Sequence, residues 1–294
     1  SFKNMQIDER LKENINIVVK QALDEDIGEQ DITSSLIEKS STTKASILTR
    51  QKMILAGTPW AEEVYKQLDS RIKMNWKICD GQEAAANAVI CEIEGPAHPI
   101  LSGERTALNF LQTLSATAST TAKFVEVLAG SSTKLLDTRK TIPGLRWAQK
   151  YAVRCGGALN HRFGLFDAIL IKENHISIEK KFSRIIKNAR KNYPTMPIEI
   201  EVETLEDMQK ALKVKSEYIL LDNFPYDLLV KAVAINKLEG NPPAKLEASG
   251  GFSINDVKKI ASIGLDYISV GALTKNISSI DISMLFKSNH MIEK

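Results

Sequence analysis

The sequence predicts an α/β protein in two parts: a six-stranded parallel α/β sheet or barrel, preceded by an N-terminal α+β domain built on a small open sheet. Three observations predict it. Six short apolar runs recur between residues 134 and 271, each ending in a polar residue or a glycine. Their ends lie 35, 29, 21, 27 and 22 residues apart, room for one helix and two loops each, so the strands should be parallel. The first third lacks this rhythm. The expected boundaries are 1–116 for the N-terminal domain, rejoined by the polar tail 275–294, and 117–274 for the α/β domain.

Taken in order, Ile15, Val18, Val19 and Ala22 recur at helical spacing, with Gly28 after the helix end. Residues 45–49 and 53–56 read as strands. Trp60 to Leu68 reads as a helix opened by Pro59. Residues 72–78 and 87–93 read as two more strands around a turn at Asp80-Gly81. A helix is expected from an N-cap at Ser102, with Ala107, Phe110, Leu111 and Leu114 as its apolar stripe; a second then runs to Leu128 and stops at Gly130. The six later strands are 134–137, 168–172, 198–201, 218–222, 245–249 and 267–271. Between the first two, Leu145, Ala148, Tyr151 and Ala152 mark a helix ended by Gly156-Gly157.

Composition excludes several classes. The 294 residues are 43% hydrophobic and 26% charged, the balance of a packed globular chain and not of a disordered one. A net charge of +3 is too small for the basic footprint of a nucleic-acid binder. Residues 106–122 form the longest uncharged stretch near the middle, and they are too polar to span a membrane. Charged residues precede any apolar block, so no secretory leader is expected. Cys79, Cys91 and Cys155 are odd in number and lack paired spacing, which suits reduced thiols in a cytoplasmic protein.

In parallel α/β folds the chemistry collects at the C-terminal strand ends. Those ends carry Asp137-Thr138-Arg139-Lys140, Lys172, Glu201, Asp222, Ser249-Gly250-Gly251 and Gly271-Ala272. Glycine turns after the last two strands let backbone N–H groups approach a phosphate. Glu201 and Asp222 are paired hard oxygens, suited to Mg²⁺ shared with substrate phosphates or to sugar hydroxyls. Glu199, Glu201 and Glu203 share one strand face by the two-residue period, and Lys172 is the expected counter-charge. Arg139, Lys140, His161 and Arg162 form a cationic group that calls for a polyanion. Arg105 falls in the first turn of the helix expected from Ser102, where the helix dipole disfavours a cation unless an anionic ligand meets it. Strand-end logic alone leaves two other readings open: a Schiff-base lyase built on Lys172, and a phosphosugar-binding protein without turnover.

The stretch Asp137-Thr-Arg-Lys-Thr-Ile-Pro-Gly-Leu-Arg146, with Lys150-Tyr-Ala-Val, Gly156-Gly157, Asn160-His-Arg and Leu170-Ile-Lys-Glu-Asn-His-Ile176, resembles the quinolinate phosphoribosyltransferase family. So do Asp26-Ile-Gly-Glu-Gln-Asp-Ile-Thr-Ser34, Gly103-Glu-Arg-Thr-Ala-Leu-Asn-Phe-Leu111, Glu247-Ala-Ser-Gly-Gly251 and Ser269-Val-Gly271. The departures are Ala116, Ile142, Ala158 and Glu173, and none removes a charged site residue. The resemblance implies an incomplete, about six-stranded parallel barrel, a homodimer, Mg²⁺, and transfer of phosphoribose from phosphoribosyl pyrophosphate to quinolinate with loss of CO₂, in de novo NAD synthesis. It implies that Arg139, His161, Arg162 and Lys172, with Arg105 from the partner subunit, hold the quinolinate carboxylates and the pyrophosphate. Thr138 joins the substrate-binding set, and Lys140 neutralises the departing pyrophosphate. Glu201 and Asp222 would hold the ribose hydroxyls and the metal; Ser249, Gly250, Gly271 and Ala272 would cradle the 5′-phosphate. Lys140, Lys172, Glu201 and Asp222 are the expected catalytic residues.

Overall fold

The computed structural model describes residues 7–179 and 182–287. Up to residue 127 the elements are α1 (Glu9–Ile27), β1 (Thr42–Thr49), β2 (Met53–Ile54), α2 (Thr58–Leu68), β3 (Lys73–Trp76), β4 (Glu83–Ala84), β5 (Val89–Pro96) and α3 (Ala97–Val127). Then come β6 (Lys134–Leu136), α4 (Arg146–Cys155), β7 (Ile169–Ile171), α5 (Glu173–Glu179), α6 (Phe182–Asn192), β8 (Ile198–Val202) and α7 (Leu205–Lys213). The last are β9 (Tyr218–Asp222), α8 (Tyr226–Glu239), β10 (Lys245–Ser249), α9 (Ile254–Ile260), β11 (Tyr267–Ser269), α10 (Ala272–Lys275) and β12 (Ile282–Phe286). Contacts group them into two compact units. One is Ser1–Ala122 with Ile142–Gly157 and Asn276–Lys294; the other is Lys123–Thr141 with Ala158–Lys275. The division therefore falls six residues beyond the expected 116, and α4, expected in the α/β domain, groups with the first unit.

The first unit is an antiparallel sheet of order β12-β1-β5-β3 with a separate β2-β4 pair. The chain's tail supplies β12, whose Ile282 and Met284 are buried at period two. In α1, Asp8 caps the helix by accepting the Leu11 N–H at 2.8 Å, and Leu11, Ile15, Val19 and Leu23 bury one face. Asp80 accepts the N–H groups of Gly57 and Thr58 at the start of α2 and the Tyr151 hydroxyl of α4 at 2.6 Å. That three-way contact, with Trp60 against the Tyr151 ring, ties α4 to this unit.

α3 corrects the sequence reading. It is one helix from Ala97 to Val127, not two, and Ser102 is not its N-cap. The Ser102 hydroxyl instead donates to Asp31 at 2.7 Å. Gly103 lies inside the helix because a Cβ there would come within 2.8 Å of the Tyr65 ring. Polar residues along it are satisfied: the Ser115 hydroxyl donates to the Ala56 carbonyl, and Thr121 to the Thr117 carbonyl. Arg105 consequently sits eight residues into α3, where the dipole argument does not apply.

The second unit holds six strands in the order β6-β11-β10-β9-β8-β7, every pair parallel. β6 and β7 follow one another in the chain yet form the two edges, so the barrel is incomplete between them. Leu159 makes a parallel bridge to Leu136 and covers part of the β6 edge. Apolar residues such as Ile200, Ile219, Leu221, Leu246, Ala248 and Ile268 bury the strands, as expected where helices cover the sheet. The interval between β7 and β8 holds two helices, α5 and α6, instead of one.

Candidate active site

The strand ends of the second unit converge on one cup of about 380 Å³, within the usual range for a small-molecule site. Its wall includes Asp137, Thr138, Arg139, Lys140, His161, Arg162, Lys172, Glu201, Asp222, Glu247, Ser249, Gly250 and Gly271. The two-residue strand period explains the wall: Glu199 and Glu201 on β8, Leu220 and Asp222 on β9, Glu247 and Ser249 on β10 all face inward. Eleven of the thirteen residues predicted for the site line the cup. Ala272 is the first residue of α10, just behind Gly271. Arg105 is exposed on α3, in the first unit.

The rim is charged. The Lys172 ammonium lies 3.7 Å from Glu201. Burial raises the Glu201 pKa, Lys172 opposes that, and the neighbouring Asp222 charge raises it further. Arg162 is pulled below its ordinary value first by burial and then by repulsion from Arg139. Two guanidiniums that repel each other in a half-buried cup are a site for an anion. The Lys140 stem passes Gly271, where a Cβ would lie 2.9 Å from the Lys140 Cδ. The Thr138 hydroxyl accepts the Lys140 N–H at 3.0 Å, and Thr274 donates to the Lys140 carbonyl at 2.6 Å. Beyond Ser249-Gly250, α9 is capped by its own residues, since Ser253 and Asp256 form a reciprocal capping box.

The floor is a buried polar cluster that the sequence reading missed. The His161 Nε2 lies 3.1 Å from Glu199 and 3.2 Å from Glu247. Its Nδ1 accepts the Arg162 peptide N–H at 2.8 Å. Asp137, fully buried, accepts the His161 N–H and the Asn160 side-chain amide, both at 2.7 Å. Burial by itself would lower the His161 pKa, and the two carboxylates pull it the other way. The Arg162 N–H opposes a second ring proton, because an imidazolium has no acceptor at Nδ1. The peptide plane fixes that donor, so the geometry favours the neutral ring with its proton on Nε2. Burial raises Glu199 to about 8, while Glu247 is held below its ordinary value by its hydrogen bonds to Glu199 and His161 in spite of burial. One expectation is corrected: Glu203, expected on the face of Glu199 and Glu201, lies past the end of β8 and is exposed. The His161 ring, at the cup wall, has both nitrogens engaged. The signal for Glu199 was its alternation with Glu201. Glu247 lies two residues before Ser249 on the same strand face. His175 is local, its Nδ1 accepting the Lys172 N–H at 3.0 Å.

Two family descriptions match the chain: "Quinolinate phosphoribosyl transferase, N-terminal domain" over residues 31–115 and "Quinolinate phosphoribosyl transferase, C-terminal domain" over 117–285. The chain belongs to the quinolinate phosphoribosyl transferase family. It is 39% identical over 272 residues to a probable carboxylating nicotinate-nucleotide pyrophosphorylase of Bacillus subtilis, covering 92% of this chain and 93% of that one. A Synechocystis relative of the same description is 36% identical, covering 92% of both. The structure of the nicotinate-nucleotide pyrophosphorylase from Francisella tularensis superposes with a TM-score of 0.90 at 44% identity, over 96% of this chain and 98% of that one. Family membership makes this chain a pentosyltransferase. The lyase and pure-binding readings are set aside by it.

Proposed function

We propose that the cup holds quinolinate and phosphoribosyl pyrophosphate side by side, with its charges in the following roles. The enzyme transfers phosphoribose from phosphoribosyl pyrophosphate to quinolinate and releases nicotinate mononucleotide, CO₂ and pyrophosphate, the entry of quinolinate into NAD synthesis. The observation that carries the site assignment is the convergence of Arg139, Arg162 and Lys172 with Glu201 and Asp222 on one cup. Those guanidiniums and Lys172 fit the two carboxylates of the pyridine ring, and Arg fits them bidentately. Glu201 and Asp222 fit the ribose hydroxyls, and Ser249, Gly250, Gly271 and Ala272 fit the 5′-phosphate.

The ring nitrogen forms a bond to the ribose C1′ as the C1′–oxygen bond breaks and its electron pair leaves with pyrophosphate. Positive charge builds on the ribose and negative charge on the leaving group. Glu201 and Asp222 face the first, and Lys140 and Arg139 face the second, fixed in advance by the strand ends. The pyridinium nitrogen so formed draws the electrons left behind when the adjacent carbon loses CO₂, and that carbon then takes a proton. Arg162 and Lys172, by holding the carboxylates, keep the ring nitrogen pointed at C1′.

Mg²⁺ is part of this reading. Two neighbouring carboxylates are too few for an all-protein cage but suit a hard cation shared with substrate phosphates, so Glu201 and Asp222 would hold it. When bound, it would offset charge on the pyrophosphate. Arg105, exposed on α3, is the residue proposed to reach the cup of a partner subunit in a homodimer. We place the enzyme in the cytoplasm, which suits its three free cysteines. Among the described residues no helix is long and apolar enough to cross a membrane. Incubation with quinolinate, phosphoribosyl pyrophosphate and Mg²⁺ tests the function: nicotinate mononucleotide and CO₂ should form together, and the absence of both would refute it. Mixing Arg105→Ala with Lys172→Ala protein should restore part of the activity if the site is shared, and no recovery on mixing would remove Arg105.

A further inference from the structure

We propose that Glu247 and Glu199 are positioning residues that act through His161: they hold the imidazole beneath the cup so that its other nitrogen fixes the Arg162 peptide, and the ring itself does not bind substrate. The inference deepens the reading of the cup as a quinolinate site and rests on it.

The middle level of an α/β barrel is ordinarily filled by branched apolar side chains. Here it holds a histidine and two carboxylates, with Glu247 only 2% exposed and Glu199 8%. Buried charges of this kind are a poor stability device, because apolar side chains of similar volume would pack there at no desolvation cost. Their geometry points elsewhere. The Nε2 separations of 3.1 and 3.2 Å are direct hydrogen-bond lengths, so both carboxylates are within reach of the ring. The ring's far nitrogen then receives the Arg162 N–H at 2.8 Å, and Asp137 holds the His161 N–H from the other side. His161 is thus fixed at its peptide nitrogen and at both ring nitrogens.

What this bolt secures is Arg162. Burial and the Arg139 charge oppose that guanidinium in the cup, while Glu199, Asp167 and Glu201 attract it. A loop left free would relieve the repulsion by swinging Arg162 into solvent, and each substrate molecule would then have to pull it back. Fixing the peptide at Nδ1 keeps the repelling pair assembled before the diacid arrives, which is preorganisation in its electrostatic form. The ring cannot serve the diacid as well, since it has no nitrogen left to offer.

The test uses the full-length enzyme with each substrate varied separately. Glu247→Gln keeps an acceptor oxygen for Nε2–H; Glu247→Ala removes it. Glu247→Ala should raise the KM for quinolinate about tenfold or more while the KM for phosphoribosyl pyrophosphate stays within about threefold, and Glu247→Gln should stay within about threefold on both. An unchanged Glu247→Ala enzyme, equal rises in both KM values, or a Glu247→Gln enzyme as impaired as Glu247→Ala would overturn the proposal. If Glu247→Ala does not fold, the His161 ring nitrogens of the wild type decide the matter by ¹⁵N NMR. Nε2 should carry the proton, Nδ1 should not, and neither should change partner when quinolinate is titrated in. A ring resonance that moves to a new partner would mean that His161 binds the diacid directly. Wild-type enzyme that binds no quinolinate at all would instead refute the assignment of the cup.

Discussion

The rim and the floor of the cup are made by the same strands, two residues apart, yet they obey different physics. At the rim, Lys172 and Glu201 face each other across 3.7 Å with the Lys172 side chain 43% exposed. A pair like that is loose and screened, and its charges remain available to a ligand. At the floor, Glu199 and Glu247 are buried and each reaches the His161 Nε2 at hydrogen-bond distance, so part of their polarity is met within the protein. The difference teaches that a charged residue at a strand end can be read as a ligand group only once its depth is known. One step of the pleat separates a charge open to the cup from one held by its neighbours.

Four substitutions test that contrast. The largest effect is expected at Arg162. Arg162→Ala should remove about 3 kcal/mol of transition-state stabilisation, on the order of a hundredfold in kcat/KM, with the urea midpoint nearly unmoved. A rim variant that unfolds the protein would erase the distinction. Asp137→Ala acts from below. It leaves the His161 N–H and the Asn160 amide without their buried acceptor, and should cost roughly 2 kcal/mol in stability by urea titration. Ser253→Ala separates the phosphate end of the rim from the helix behind it. Loss of the α9 cap should cost about 1 kcal/mol while the KM for phosphoribosyl pyrophosphate holds steady, and a raised KM would move the phosphate onto the α9 N-terminus. The smallest effect is Lys172→Met on stability. It should change the unfolding free energy by less than about 0.5 kcal/mol, although turnover falls; a larger loss would make the Lys172–Glu201 pair structural.

Much of the α/β unit was legible because each strand carries its own signal. The run Tyr218-Ile-Leu-Leu-Asp222 is apolar within and polar at its end, so both its extent and its polar end are visible locally. β4 and β12 were not legible. β4 is two residues long and exists only through its pairing with β2. In β12 the outward Leu285 blurs the alternation that Ile282 and Met284 would otherwise show. α3 was expected as two helices and is one, and the carbonyl that accepts from its Ser115 lies 59 residues away in the chain. The rim of the cup could be read from motif and spacing. The floor could not, since His161 and Glu247 meet across 86 residues of chain.

What the sequence determined by itself was the count of parallel strands, the charged residues at their ends and the family to which they belong, since all of these are written in runs of a few residues with a fixed period. Only the tertiary structure decided which of those charges stay open to the cup and which face one another. It also decided that β6 and β7 stay apart as edges and that α4 joins the first unit. Depth and partnership are properties of a closed surface, set by where distant strands converge, and a local pattern of side chains carries no record of them.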